Sequence, residues 1–391
     1  MRFIKKTSIP FLKYRYIAGA ISGLLILGGL GYIVFGPGLN LGIDFVGGTQ
    51  VTLKFAAEPD LAKIRKVITG TGLGEPVVQR FDEPEKHEVL IRVENPGGKE
   101  GDFTKPILDA LDKAFNGQDG KFDLNLGGER EVTELLVAGD PDGVGGDVDA
   151  RTEHYRPMAE ALAAYRKTHG IFRSVDELDT IEGLSDAAKA YLKARSKAGA
   201  FSMLGAESVG PAVGQDLRKK AKLAVLFSLL GMLVYIWIRF QLPYGIGAVV
   251  ALFHDVLITL GALALTQREI NLPTIAALLT LVGYSVNDTV VVFDRVRENL
   301  RLKRATPLDE IMDESINQTL SRTIITSGTT LAVVISLYLF GGDVINTFAF
   351  VLLVGIIVGT YSSIFIASPV ALWMTNFMAK FRKRKQTRGR R

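Results

Sequence analysis

Unbroken apolar runs constrain this chain more than any other feature in it. A soluble domain lays its apolar residues in stripes of helical or strand period. Here they run on, and a helix needs roughly 20 consecutive apolar residues to cross a bilayer. Six runs qualify: residues 16–35, 221–238, 244–265, 272–293, 323–340 and 344–374, the last to be trimmed at its ends. Polar residues interrupt the fourth and fifth. The pattern predicts an α-helical polytopic membrane protein with six transmembrane (TM) helices. The first run also has the basic lead-in of a signal peptide. Its length of roughly 20 residues exceeds the usual apolar region, and no A-x-A site follows, which favours a retained anchor.

Charge is spread unevenly. Residues 37–218 hold 31 acidic and 22 basic side chains, and the remainder holds 10 acidic and 24 basic. The basic excess therefore belongs to the membrane part and does not mark a nucleic-acid binder. Lys5, Lys6, Lys13 and Arg15 precede the first run; Arg295, Arg297, Arg301, Lys303 and Arg304 lie between the fourth and fifth; eight basic residues fill 380–391. The positive-inside rule places all three regions, and both termini, in the cytoplasm. Lys219, Lys220 and Lys222, at the outer start of the second run, are the exception. The expected layout is a cytoplasmic N-terminus (1–15), a first span (16–36), an extracytoplasmic domain (37–218), a five-helix bundle (219–374) with a cytoplasmic loop at 294–321, and a basic cytoplasmic tail (375–391). The chain has no cysteine, hence no disulfide or thiolate chemistry.

Within 37–218, Val51, Leu53 and Phe55 alternate as on a strand, as do Val89, Ile91 and Val93. Residues 61–68 and 103–115 read as amphipathic helices, so the segment is expected to be a small α+β domain. Residues 117–146, rich in Gly, Asp and Glu, read as a loop or weak hairpin; helical signals return at 149–168 and 185–196. Between those helices, residues 172–185 resemble a helix-hairpin-helix unit, with Ser174 as cap, Leu178 and Ile181 buried and Gly183 at the turn. Its acidic surroundings argue for structural or partner-binding use. Residues 306–320 are expected to form an amphipathic helix in the cytoplasmic loop, with Thr306 as cap and Pro307 first. Gly19, Gly23, Gly28, Gly29 and Gly31 in the first span, and Gly355 and Gly359 in the sixth, allow close helix packing.

Ionisable groups inside the runs carry the chemistry. A carboxylate in mid-helix costs at least ~2.5–3.5 kcal/mol by insertion scales, so it marks a functional site by default. Asp288 stands about sixteen residues into the fourth run, ~24 Å from its outer end. Ser285 is one turn before it, and Asn287 and Thr289 flank it. Arg322 heads the fifth run, followed by Thr326, Thr329 and Thr330 on one face, at a depth where it is able to pair with Asp288. His254 and Asp255 lie near the middle of the third run. Two readings stay open: a static Asp288–Arg322 ion pair joining two helices, or an Asp288 that changes protonation state with Arg322 as switchable counter-ion. Asp288 and Arg322 are thus the candidate proton-coupling residues, and His254, Asp255, Asn287, Ser285 and Thr326 a candidate secondary relay. No nucleotide-binding loop is present, so an ion gradient is the available drive.

Four long motifs carry a resemblance: GIDFVGGT at 42–49, ESVGPAVG at 207–214, LVGYSVNDTVVVFDRVREN at 281–299 and NQTLSRTIITSGTT at 317–330. With the six-span order, the chain over 1–95 and 200–380 is similar to the SecF-type members of the SecD/SecF protein-export family, relatives of the resistance-nodulation-division (RND) transporters. The resemblance implies an inner-membrane protein that is not an enzyme, needs no cofactor or metal, pairs with SecD, docks on SecYEG and uses the proton motive force to draw preprotein outward. It assigns the family's essential aspartate to Asp288 and its essential arginine to Arg322. It places Gly42, Asp44, Gly47 and Gly48 in a structural motif at the junction of the first span and a ferredoxin-like domain. Residues 117–197 go beyond the family's usual domain and read as an inserted helical subdomain. An RND-type pump for a small molecule or lipid, and a non-energised translocase scaffold, remain as alternatives.

Overall fold

The computed structural model describes residues 7–81, 84–95, 101–117 and 120–388. Lys5, Lys6 and the end of the basic tail lie outside the described residues. In chain order come α1 (Arg15–Phe35), α2 (Ile43–Val46), β1 (Gly48–Phe55), α3 (Leu61–Thr69), β2 (Val77–Phe81), β3 (Glu88–Val93), α4 (Thr104–Phe115) and β4 (Phe122–Asp123). Then follow α5 (Glu129–Gly139), α6 (Val148–His169), α7 (Asp186–Arg195), β5 (Ser196–Lys197) and β6 (Phe201–Val209). The chain ends in α8 (Pro211–Arg239), α9 (Leu242–Leu265), α10 (Leu272–Leu302), α11 (Leu308–Phe340), α12 (Gly342–Ser362) and α13 (Ser368–Arg388). They form two compact units: one takes the chain up to Gly42 and again from Asp216, the other runs from Ile43 to Gln215.

The second unit holds a four-stranded sheet in the order β2-β3-β1-β6, every neighbouring pair antiparallel. Val51, Leu53, Val89, Ile91 and Val93 are fully buried against Ile64 and Ile68 of α3 and Ile107 and Leu111 of α4. That is the burial the alternating residues predict. Strand β6 carries no such alternation, because only Phe201 and Ser202 are buried along it. It is placed by pairing with β1 across a register shift at Thr52/Leu53.

Gly47 and Gly48 lead into β1 with φ of +81° and +142°. A Cβ on Gly48 would lie 2.5 Å from the Val93 carbonyl oxygen, and one on Gly47 would lie 3.0 Å from Pro211 Cα. Both neighbours are backbone, so only glycine lets the chain enter the sheet here.

Residues 117–197 form a subdomain with a core of their own, centred on Leu136, Tyr155, Leu162, Phe172, Leu178 and Leu192. Helix α5 replaces part of the loop expected at 117–146. Val132 and Leu136 are buried at i,i+4 on it, a signal masked by the glycines and acids around them. Ser174 caps a 3-10 helix at Val175–Thr180, Leu178 and Ile181 are buried, and Gly183 turns the chain at φ +90° towards α7.

Asn125 ties this subdomain to the segment that leads into β6. Its side-chain amide donates to the carbonyls of Phe172 and Gly199 at 2.8 Å each and accepts from the Phe172 N–H at 2.7 Å. An Asn125→Ala change strands three buried backbone groups, and we expect a cost of roughly 3–5 kcal/mol, read by urea denaturation. Neighbouring Asp123 accepts from the Asn125 and Gly199 amides and the Asn116 side chain, yet burial pushes its carboxyl above the usual range. Its contribution to stability is present below about pH 3.9 and is lost as pH rises through the raised value. Relative to the parent, Asp123→Asn should therefore melt at a more favourable temperature at pH 7 than at pH 4.

In the first unit, six helices are long and apolar enough to cross a membrane: Phe11–Phe35, Pro211–Arg239, Leu242–Leu265, Leu272–Leu302, Leu308–Phe340 and Ile345–Lys380. They coincide with the six apolar runs, but several extend further. Helix α8 starts ten residues before the expected span and includes Lys219, Lys220 and Lys222. The amphipathic helix expected at 306–320 is not separate; it is the start of α11. Thr306 does not cap it: Pro307 is the N-cap residue and Leu308 the first helical one. The expected loop at 294–321 is two helix ends joined at residues 303–307. Those ends are pinned by Asn299 Nδ2 to Ser315 Oγ (2.8 Å) and Lys303 to Glu314 (2.6 Å).

Helix α1 packs on α9 through one glycine of the five in its run. A Cβ on Gly29 would lie 2.9 Å from Gly261 Cα, whereas Gly19, Gly23, Gly28 and Gly31 have nothing within 4 Å. At the end of α1, residues 38–42 are stitched to the turn between α9 and α10. Ile270 N–H donates to Asn40 O and Gly42 N–H to Ile270 O, both at 2.8 Å. Asn40 also reaches Gln267 O, and Gln267 reaches Gly38 O.

Candidate functional site

Helices α9, α10, α11 and α12 surround a buried polar cluster in the middle of the apolar bundle. Asp288 is 2% exposed. Its Oδ2 accepts from Ser327 Oγ at 3.1 Å, and Thr360 Oγ1, 3.4 Å from Oδ2 and 2.8 Å from Ser327 Oγ, has one proton to give to either. Asp288 comes from α10, Ser327 from α11 and Thr360 from α12, so three helices meet at one carboxyl. A rotating hydroxyl donates to a carboxylate or accepts from a carboxylic acid. The cradle therefore serves both protonation states without moving backbone.

Arg322 does not complete this site. Among the described residues no ion pair joins it to Asp288; it is exposed and acts on the carboxyl only through space. The pair suggested by matching depth is replaced by hydroxyl contacts, because the face of α11 turned inward is Thr319, Thr323 and Ser327. Thr326, Thr329 and Thr330 lie off that face. Their hydroxyls bond back to the carbonyls of Arg322, Ile325 and Thr326 on their own helix.

A second group sits alongside. Asp255 is fully buried; its Oδ2 accepts from Ser285 (2.5 Å, α10) and Ser362 (2.9 Å, α12), and its Oδ1 faces His254 Nδ1 at 2.8 Å. His254 Nε2 reaches Ser22 of α1 at 2.9 Å. Gly359 makes the approach possible, since a Cβ there would lie 3.1 Å from Ser285 Cβ and 3.5 Å from Asp255 Oδ2. Ser285 and Asp288 stand three apart on α10, so the two groups share a helix face. Of the candidate relay, the structure gathers His254, Asp255 and Ser285. It turns Asn287 outward, into a groove with Gly231, Met232 and Tyr235 of α8, and leaves Thr326 out.

Sequence reasoning missed Ser22, Ser327, Thr360, Tyr361 and Ser362. Isolated hydroxyls in apolar helices are common and carry no spacing signal. A π-helical turn at Ser363–Ala367 adjoins the cluster, with Ser368 Oγ bonding back to Ser363 O at 3.0 Å. Such turns occur often at functional sites. Among the described residues no group of three or more His, Asp or Glu side chains is placed to hold a metal ion.

Gly42, Asp44, Gly47 and Gly48 lie outside the cluster, near the junction of α1 with the sheet unit. Gly42 is part of the stitch, Asp44 stands in α2, and Gly47 and Gly48 make the entry to β1.

Comparison with known proteins gives the family. The family model "Protein export membrane protein SecD/SecF, C-terminal" matches residues 189–377, and the model "SecD/SecF GG Motif" matches residues 32–58. A protein translocase subunit SecF of Koribacter versatilis is 43% identical over 381 residues, covering 95% of this chain and 92% of the relative. The chain belongs to the SecD/SecF family. A second SecF, from Calditerrivibrio nitroreducens, is 39% identical over 94% of this chain and 95% of its own length. The crystal structure of SecDF from Thermus thermophilus superposes with a TM-score of 0.65 at 31% identity, covering 95% of this chain. This chain spans 39% of that longer one. SecF membership and six apolar helices make it a multi-pass membrane protein. The double glycine at 47–48, with its backbone contacts to Val93 and Pro211, lies within the matched GG motif.

Proposed function

We propose that this chain is the SecF-type subunit of a SecD–SecF assembly in the bacterial inner membrane. There it uses the proton motive force to help preprotein through SecYEG. Both termini lie in the cytoplasm, as the basic flanks of the spans require. The sheet unit, whose β-α-β-β-α-β order and strand sequence β2-β3-β1-β6 suit a ferredoxin-like fold, works on the outer side. The subdomain at 117–197 offers an additional surface there for preprotein, for SecD or for an envelope factor.

One observation carries the reading: among the described residues, a carboxyl buried between three spans is held by hydroxyls alone, with no cation in contact. A static ion pair would hold Asp288 permanently ionised. A hydroxyl cradle leaves it free to gain and lose a proton, with Arg322 as the charge that acts on it from a distance. Protons rather than sodium ions suit a cradle of two hydroxyls on one carboxyl oxygen, since a bound cation takes more oxygen ligands.

The test is export in the reconstituted assembly with the proton gradient imposed or collapsed, in the parent and in Asp288→Asn. Gradient-dependent export by the variant equal to the parent's would sink the proposal. Export that follows a sodium gradient instead would replace the coupling ion. Loss of association with SecD in the same variant would favour the scaffold alternative.

A further inference from the structure

Arg268 stands in the turn between α9 and α10 and reaches across to the facing ends of α11 and α12. Its Nη1 donates to Asn346 Oδ1 at 2.5 Å and its Nη2 to the Tyr338 hydroxyl at 3.1 Å. The guanidinium carbon lies 4.5 Å from the centre of the Phe350 ring and 5.5 Å from that of Tyr338. Asn346 Nδ2 donates in turn to Tyr338 O at 2.7 Å. One planar fork thus engages the end of α11 and the start of α12, and all four residues are half-buried. The fork therefore joins the ends of the four helices that surround Asp288. Between the fork and the carboxyl the filling is apolar: Leu278, Leu281, Val334 and Ile356 are buried. Leu281 lies against Gly355, where a Cβ would have no room. At 1.5 Å per residue, the fork stands about 16 Å along α11 from Ser327 and about 21 Å along α12 from Thr360.

We infer that Arg268 is a positioning residue for Asp288: it latches the outer end of the helix ring, and its release admits water towards the carboxyl. Helices α10, α11 and α12 are held together by polar contacts at two levels, the fork and the cradle. With the fork made, Ser327 and Thr360 stay at Asp288; with it broken, the apolar layer between the two levels is free to part. The turns on either side are built to yield. Gly341 and Gly342 join α11 to α12, Gly342 at φ +68° with nothing within 4 Å of a Cβ, and Gln267 beside Arg268 holds φ +50°. Water replaces each hydrogen bond and ring contact of the fork when the end opens, so opening exchanges contacts rather than abandoning a charge. The same turn bonds residues 38–42 through Gln267 and Ile270, so one short segment gathers the ends of five helices. The latch stands on its contacts; its effect on proton traffic rests on the proton-coupled reading above.

The chain has no cysteine, so spin labels placed by Leu265→Cys and Phe340→Cys, at exposed ends of α9 and α11, measure the distance across the latch. The sample is the full chain with SecD in lipid nanodiscs, read by pulsed electron spin resonance. The parent pair should give one narrow distance. Arg268→Met keeps the stem and removes the fork, and should raise a second, longer population at least about tenfold. Arg268→Lys keeps the charge but not the fork, and should fall between the two. A distribution unchanged in Arg268→Met, or a parental one in Arg268→Lys, overturns the latch. In proteoliposomes of the same assembly without preprotein, leakage follows the open population. An imposed proton gradient should therefore decay about tenfold faster in Arg268→Met, and adding Asp288→Asn should restore the parental rate. A decay unchanged in Arg268→Met, or one still fast with Asp288→Asn, overturns the placing of the latch over Asp288. Normal export in Asp288→Asn would sink the coupling proposal and leave the label distances standing, so the two fail separately.

Discussion

Asparagine at position 288 should leave the chain folded and bound to SecD, while export falls to the level seen with the gradient collapsed. The amide nearly matches the carboxyl in shape, and Ser327 and Thr360 are hydroxyls able to bond to either of its polar atoms. What is lost is the titrating proton. Asp288→Glu should recover part of the export: it titrates, but one added methylene displaces the carboxyl from its cradle in a packed bundle. Arg322→Met should share the asparagine phenotype with assembly preserved, because no contact with Asp288 is broken. Unfolding of that variant would instead revive the static pair. Co-purification with SecD and gradient-dependent export, measured on the same preparations, separate these outcomes.

Leucine at position 29 should be the most damaging single change in the first span. A Cβ there meets Gly261 Cα, and a Cβ at Gly261 would meet Gly29 Cα at 3.1 Å. Backbone lies on both sides, so neither wall has a rotamer to offer. Overpacking usually costs 1–3 kcal/mol, and here the clash is relieved only by lifting α1 from α9. That movement also breaks Ser22 from His254 and Tyr361 from Ala18. Gly28→Leu, one residue away with nothing within 4 Å, is the control and should be tolerated. Abundance in the membrane and resistance to limited proteolysis read the difference.

These two changes show where sequence reasoning succeeds and where it stops. Apolar runs of twenty residues have little choice but to span, so all six helices were legible. Their ends were not. Residues 308–320 keep helical period into the fifth run with no breaker between, and a change of environment looks in sequence like a change of element. In the sheet unit, alternation exposed β1 and β3, where one face is buried. It missed β6, whose exposed side chains leave no pattern. At the site, Asp288, His254 and Asp255 stood out because charge in an apolar run is rare. Their partners did not, because a serine or threonine in such a run is ordinary until its neighbours are known. The proposed Asp288–Arg322 contact failed on rotation: depth along a helix is readable from residue number, but which way a side chain points is decided by what packs against it. Among five glycines in the first run, only the one opposite Gly261 serves the close packing that all five permitted.

The stitch between residues 38–42 and the turn at 267–270 has a mechanical meaning. Helix α10 begins at Leu272, capped by Asn271, whose side chain accepts from Thr274 N–H. The turn is thus anchored to the same rod that carries Asp288. At 1.5 Å per residue, the rod's 31 residues make it roughly 46 Å long and stiff from end to end. A tilt or twist of that rod drags Asn40 and Gly42 with it. The peptide at 38–42 is then a drawbar hitched to the helix that carries Asp288, rather than a slack tether.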